Sequence, residues 1–416
     1  MRKYFRSTAE YFADYFWTGE GIRSLLEIFP ILGVMNSKDQ LIGLLEYALR
    51  DAYRRSLKAL DLGKELGSGE LVLQGQEQIE RHLMIVFSDT VRSQEEAHFY
   101  VSKSFLEDYM MKPLYPTVQK YDAKPIFIHI MLNAKDTENT LTLKNLNRMV
   151  AKFQQMQSMF KISLWIADIR SANPFFYHEE HFVLSIHQFF SQFSYGVIIT
   201  DKTSLLRFNY FNSQYFKQRL DLEYTACDSE NKTIVDTVIT ELAGCQAIFS
   251  FANIGFLVTQ EDLDKMKGSE TTKALVVHMM EQLMHRRIPM VVSLQAMDQF
   301  AQQRHVVVPL LGRLNFDGEE IVRYLAQFQG VDTEESTTVH LVDYEAPMYA
   351  VLILENYLLL YLAPSDEQPE MLILLPKKVC PHLLLDLDLL LQNESVVLHS
   401  ALWQDYLKAL PSIKEN

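Results

Sequence analysis

Fifteen glycines in 416 residues is about half the usual share of roughly 7%. A chain this poor in glycine has few loops that let backbone close around phosphate, and the nucleotide motifs are missing with them. No Gly-x-x-x-x-Gly-Lys-Ser/Thr cradle occurs. Gly19-Glu20-Gly21 follows no strand pattern and lacks the third glycine of a dinucleotide fingerprint. No Gly-x-Ser-x-Gly elbow is present, which excludes the ordinary serine hydrolase. Cysteine is scarcer still: Cys227, Cys245 and Cys380 are too few and too scattered for a disulfide framework or a thiolate metal site, so a reducing, cytoplasmic setting is expected. Long apolar runs are also missing. The most apolar stretch, 349–364, is broken by Glu355 and Asn356, short of the roughly 20 residues a spanning helix needs. The opening residues, with Arg6, Glu10 and Asp14, do not form the apolar core of a secretory signal. No membrane partner and no cofactor are expected.

What is present supports a large core: 48% apolar and 12% aromatic residues against 22% charged. The length suits two to three domains. Fifty-three acids against 39 bases leave a net charge of −14, which argues against a surface given over wholly to nucleic acid. The imbalance is uneven. Residues 1–66 hold ten basic and nine acidic residues, a net of +1, so the rest of the chain carries −15.

Residues 1–66 read as helical. Tyr4, Tyr11 and Tyr15 with Phe5, Phe12 and Phe16 recur at spacings of three, four and seven, predicting an aromatic stripe on the first helix that it would bury. Ser37-Lys-Asp-Gln40 has the reciprocal capping pattern at the start of a long third helix, and glycines at 63, 67 and 69 end it. Short β-rich runs follow at 98–101, 125–132, 162–167, 195–200, 247–251, 288–294 and 306–310. Helical patterns lie at 143–160, 179–193, 233–243, 273–285 and 319–327. Consecutive apolar residues, as in Ile126-Phe-Ile-His-Ile-Met-Leu132, predict strands covered on both faces. After a polar stretch at 330–337, closely spaced strands at 339–342, 350–354, 357–362 and 371–375 follow, with Glu355-Asn356 as a two-residue hairpin turn, then helices at 381–391 and 398–410. No internal repeat is visible. The fold class read from this is α/β with a mainly parallel central sheet and helices on both faces, preceded by an all-helical module and followed by a small α+β domain. The divisions fall at 1–66, 67–332 and 333–416.

Ligands of α/β sheets sit beyond the carboxyl ends of strands, which selects Asn133, Asp168, Arg170, Asp201, Lys202 and Asn253. Asp168 and Asp201 could pair as acid and base, although Asp and Asn also cap the helices that follow strands. His178 and His181, three apart around Glu179-Glu180, could hold a divalent metal if they opened a helix; the same acids also suit a helix N-terminus with no metal at all. Arg50, Arg54 and Lys58 make a basic ridge at four-residue spacing that could contact an anionic partner, or pair with Glu46 and Asp51 on a solvated face.

These residues support three functions. The first is a non-catalytic intracellular regulatory protein that binds a small ligand in the α/β body. Residues 1–66 would then serve contact or homodimerisation, and would be the one route to nucleic acid. The second is an α/β hydrolase or lyase using strand-end carboxylates. The third is a scaffold or assembly protein.

Overall fold

The computed structural model describes residues 2–29, 35–59, 70–93, 96–110, 126–133, 141–157, 160–167, 173–179, 181–190, 193–215, 218–219, 221–223, 240–268, 270–284, 288–330, 339–362, 371–392 and 397–398. The chain forms two compact units, Met1–Lys135 with Met159–Arg219, and Asp136–Ser158 with Leu220–Asn416.

Unit one opens with α1 (Arg2–Phe16), α2 (Gly19–Ile28) and α3 (Lys38–Ala59). Their packing departs from the aromatic-stripe expectation. The buried line of α1 is Ala9, Ala13 and Phe16, whereas Tyr4, Tyr11 and Tyr15 are 78%, 75% and 56% exposed. Alanine lets helix axes approach closely, so the small residues take the interface and the tyrosines face outward. The start of α2 lies equally close to α1: a Cβ on Gly21 would stand 2.1 Å from the Tyr15 carbonyl oxygen. Ser37 caps α3 as expected, its hydroxyl accepting the Gln40 N–H at 3.3 Å. The Gln40 side chain reaches back to the Asn36 N–H at 2.7 Å, one residue earlier than in the standard box.

The chain continues through β1 (Glu70–Gln74), α4 (Gly75–Ser93), β2 (Ala97–Ser102) and β3 (Ile126–Asn133). It then passes through α5 (Leu143–Gln157), which belongs to unit two, and returns as β4 (Phe160–Ala167). Next come β5 (Phe175–His178), β6 (Phe182–Phe190), β7 (Phe193–Ile199), α6 (Lys202–Tyr215) and β8 (Gln218–Arg219). These strands make one sheet in the order β1-β7-β6-β5-β2-β3-β4-β8. Only β2, β3 and β4 run parallel. One face carries Phe99, Phe160 and Phe176, all in contact with Phe87 of α4. The opposite face carries Phe175, Tyr177, Val183 and Met131, packed against Leu205 and Phe208 of α6.

Unit two holds β9 (Asp221–Glu223), β10 (Ala247–Ser250), α7 (Gln260–Asp264), α8 (Glu270–Met284), β11 (Met290–Ser293) and α9 (Leu294–Gln303). It continues with β12 (His305–Val308), β13 (Gly312–Asn315), α10 (Gly318–Gly330), β14 (Val339–Val342), β15 (Tyr349–Ile353) and β16 (Tyr357–Leu362). It ends with β17 (Met371–Pro376), α11 (Pro381–Gln392) and β18 (Val397–Leu398). Its main sheet runs β18-β14-β11-β10-β15-β16-β17-β9, with β12 and β13 as a separate two-stranded sheet. Here β10, β11 and β14 are the parallel strands.

The two sheets share one topology. In each, the first strand pairs antiparallel with the seventh. The second, third and fourth run parallel, and the fifth to seventh form an antiparallel meander beside the second. A two-residue eighth strand closes the edge against the fourth. Unit two adds the β12–β13 hairpin between its third and fourth strands. A repeat is therefore present in connectivity, although no repeat is visible in the residues.

Three corrections to the fold reading follow. The architecture is broadly α/β, but it contains two mixed sheets, not one mainly parallel one. The 179–193 segment is not helical; it belongs to the β5–β6 hairpin, whose residues pair as Phe176↔Leu184 and His178↔Phe182. The strand expected at 306–310 lies outside both large sheets. Glu355-Asn356 does form the tight turn, between Ile353↔Leu358 partners. Helical segments expected at 233–239 and 399–410, and the glycine boundary at 63–69, lie outside the described residues.

Candidate functional site

Each candidate from sequence falls differently. Asp168 and Arg170 lie outside the described residues. Asn133 ends β3, opposite Ala167 of β4. Asp201 is a helix cap: its carboxylate accepts the Ser204 N–H of α6 at 2.9 Å. The Ser204 backbone and side-chain hydrogen bonds hold its pKa below the usual carboxylate range. Lys202 is exposed on the first turn of that helix. Because β7 runs opposite to β3 and β4 in the same sheet, Ile199 and Ala167 end at opposite edges, which removes the reason for pairing Asp201 with Asp168. Asn253 follows β10 in the other unit.

His178 and His181 do not open a helix. They flank the turn between β5 and β6 with their rings 4.2 Å apart. His178 also packs on Phe99 at 4.4 Å. Burial, reinforced by His181, pushes its pKa down to about 3. Among the described residues no group of three His, Cys, Asp or Glu is placed to hold a metal. In the basic ridge, Arg50 bonds to Glu46 and Arg54 is exposed. The Lys58 side chain is outside the described residues. Among those residues no helix is long and apolar enough to cross a membrane.

Among the described strand-end candidates, Asn253 lines a cavity. The chain leaves β10 at Ser250, whose hydroxyl bonds to the Ala252 carbonyl at 2.9 Å. It then runs beside β12: Val307 N–H donates to Asn253 O, and Gly255 N–H to Val307 O, each at 2.9 Å. The Asn253 Nδ2 donates to His305 O at 2.9 Å. This strap, β11, α9 and α10 enclose a small cavity of about 20 Å3. Ile254, Phe256, Met290, Val292, Met297 and Phe300 make most of its wall apolar. Its polar groups are Ser250, Asn253 and Tyr324. Burial raises the Tyr324 pKa, so the phenol stays neutral. Asn253 is 5% exposed, and its Oδ1 is buried without a hydrogen-bond partner. An unpaired buried acceptor costs about 1–3 kcal/mol, and a donor entering the cavity would recover it.

The sequence reading found Asn253 from its place after a strand and missed the rest of this wall. Met290, Val292 and Phe300 carry no signal that distinguishes a cavity wall from ordinary core. Ser250 closes an apolar strand, and Tyr324 sits within an amphipathic helix, so neither announces itself.

No protein-family model matches the chain, and no curated protein matches it. Among solved structures, TrmBL2, described as an archaeal chromatin protein that shows a novel mode of DNA binding, is similar at 12% identity and a TM-score of 0.22. That match covers 48% of this chain and 80% of the other. At that score the likeness carries no argument about fold or function.

Proposed function

We propose that the second unit is a non-catalytic regulatory or sensory module that binds a small, mostly apolar molecule bearing one hydroxyl or N–H donor. The observation that carries this reading is the partnerless Asn253 Oδ1 in a cavity with apolar walls. Small-molecule sites are mostly apolar with a few placed polar groups, and this lining has that character. The polar lining offers no acid, base or nucleophile beyond a neutral phenol and a hydroxyl already bonded to a carbonyl, which favours binding over chemistry.

Thermal unfolding with phenol, benzyl alcohol and indole, each set against toluene, tests the reading. A ligand selective for the folded form raises the midpoint by mass action. The donor-bearing probes are expected to raise it and toluene to do so less. Asn253→Leu is expected to abolish the difference. Equal shifts for phenol and toluene, or none at saturating probe, would refute it.

A further inference from the structure

The α6-covered face of the first sheet carries polar groups at alternate positions on its three parallel strands. Across the register His98 stands opposite Phe127 and Phe127 opposite Lys161; one row further, Tyr100 faces His129 and His129 faces Ser163. A hydrogen-bonded chain crosses these rows. The Ser163 Oγ is 2.6 Å from His129 Nδ1. His129 Nε2 is 3.0 Å from His98 Nδ1, and His98 Nε2 is 3.2 Å from a Glu96 carboxylate oxygen. The Trp165 indole N–H donates to Ser163 Oγ at 2.9 Å.

With both imidazoles neutral, the carboxylate sets the direction of the chain. A carboxylate accepts only, and a neutral imidazole has one donor and one acceptor nitrogen. Glu96 therefore takes the proton on His98 Nε2, His98 Nδ1 takes the one on His129 Nε2, and His129 Nδ1 is left as an acceptor for the serine O–H. The opposite assignment would set an imidazole lone pair against the carboxylate. A hydroxyl bonded to a base that is itself oriented by a second group is the arrangement of an activated nucleophile.

Two further observations point beyond a structural network. Asn212 of α6 is 3% exposed, and neither its Oδ1 nor its Nδ2 has a hydrogen-bond partner. It lies one turn beyond Phe208, which packs on Tyr177 of the same face at 5.0 Å. The helix connects β7 to β8, and β8 pairs antiparallel with β4, the strand that carries Ser163. The second is the comparison between units. The corresponding face of the other sheet has Phe249 on β10, opposite Val291 on β11; its polar residue on β14 is His340, opposite Val291. The shared fold does not require a serine–histidine chain at this place. Access comes from the outer row, where Phe127 and His98 are half-buried and Lys161 is exposed; Ser163 itself is 5% exposed.

We propose that Ser163 is the nucleophile of an acyl-transfer site for small carboxylic esters, with His129 as general base and His98 and Glu96 as positioning residues. Ser163 Oγ bonds to the ester carbonyl carbon as its proton passes to His129 Nδ1, and the carbonyl π electrons move to oxygen. Collapse breaks the bond to the alkoxy group, which leaves with that proton as the alcohol. Water then attacks the acyl-serine, giving its proton to His129, and the acid departs as Ser163 regains a proton.

The test treats the full chain with diisopropyl fluorophosphate and p-nitrophenyl acetate, locating adducts by peptide mass spectrometry. One phosphoryl adduct at Ser163 is expected, lost in Ser163→Ala. His129→Asn should slow its formation by about 10²-fold or more, the range of general-base assistance. His98→Gln should alter the pH profile of labelling at an unchanged melting temperature, which a purely structural role would not do. Should His129→Asn fail to fold, Ser163→Cys takes its place, and its new thiol should react with iodoacetamide faster than the buried Cys245 and Cys380. A folded wild-type chain without an adduct at Ser163 overturns the proposal. So does labelling at an unchanged rate in folded His129→Asn, or an introduced thiol no faster than the buried ones. None of these outcomes bears on the Asn253 cavity, which lies in the other unit.

Discussion

The two units use one topology and fill its faces in opposite ways. In unit one, the face under α4 is closed by aromatics: Phe87 meets Phe99 at 5.2 Å and Phe176 at 5.6 Å, and Phe99 meets Phe176 at 5.1 Å. Its polar groups stand on the other face. In unit two, the face containing Ile248, Met290 and Val292 borders the cavity. The opposite face packs with α5 and α11: Asn147 of α5 bonds to the Tyr344 hydroxyl at 2.9 Å, and Asp386 of α11 caps the Leu143 N–H at 2.8 Å. A sheet with helices on both faces has two interlayer spaces. In unit two a cavity borders one of them, and in unit one a hydrogen-bonded polar chain lies in the other.

If the comparison is sound, core truncations should act within their own unit. Phe176 is fully buried among aromatics, whereas Phe300 is 1% exposed but borders the cavity. Both Phe→Ala changes fall in the class costing about 3–5 kcal/mol. Phe176→Ala should lie at the top of that range, because its ring neighbours cannot collapse into the hole, and Phe300→Ala at the bottom. Calorimetric unfolding of the two variants checks this. Equal losses, or a larger one for Phe300→Ala, would break the contrast.

The second effect depends on pH. His178 titrates near 3 in the folded protein, against about 6.5 for an unhindered imidazole. Below pH 6.5 the unfolded chain takes up a proton that the folded chain refuses. The unfolded state thus binds more protons, and stability falls as pH drops from about 6.5 toward 3. Urea midpoints at pH 7.5 and 5.0 should show this loss in wild type and less of it in His178→Phe. An unchanged slope in that variant would place the acid sensitivity elsewhere.

The sequence revealed the elements more fully than their arrangement. Apolar runs at 125–132 and 162–167 marked β3 and β4, and a 3.6-residue period marked α5, α8 and α10. Strand direction had no such signal, because an apolar run reads the same in parallel and antiparallel pairing, and the expected mainly parallel sheet proved mixed for that reason. The 179–193 segment misled for another reason. Glu179 and Glu180 imitate a helix start, while Phe182, Val183 and Ile186 fit either period over so short a run. The serine–histidine chain was illegible because His98, His129 and Ser163 meet only through interstrand register, each about thirty residues from the next. Asn253 could be read because its position after a strand is a local fact.

The smallest predicted effect concerns the helices that unit one carries ahead of its sheet. Arg50 of the basic ridge bonds to Glu46, but Glu46 also has Arg6 at 3.6 Å. The Arg50 side chain remains 33% exposed. Exposed pairs contribute about 0–1 kcal/mol, less where a second partner persists. Arg50→Ala should therefore change stability by under about 0.5 kcal/mol in urea unfolding. Anion binding offers the sharper reading of the same variant. If the ridge contacts an anionic partner, binding must fall at unchanged stability, because Arg50 already pairs with Glu46 and a competing anion has to displace it. A stability loss well above 1 kcal/mol would instead make Arg50 part of the packing between α1 and α3, and the ridge would cease to be a surface feature.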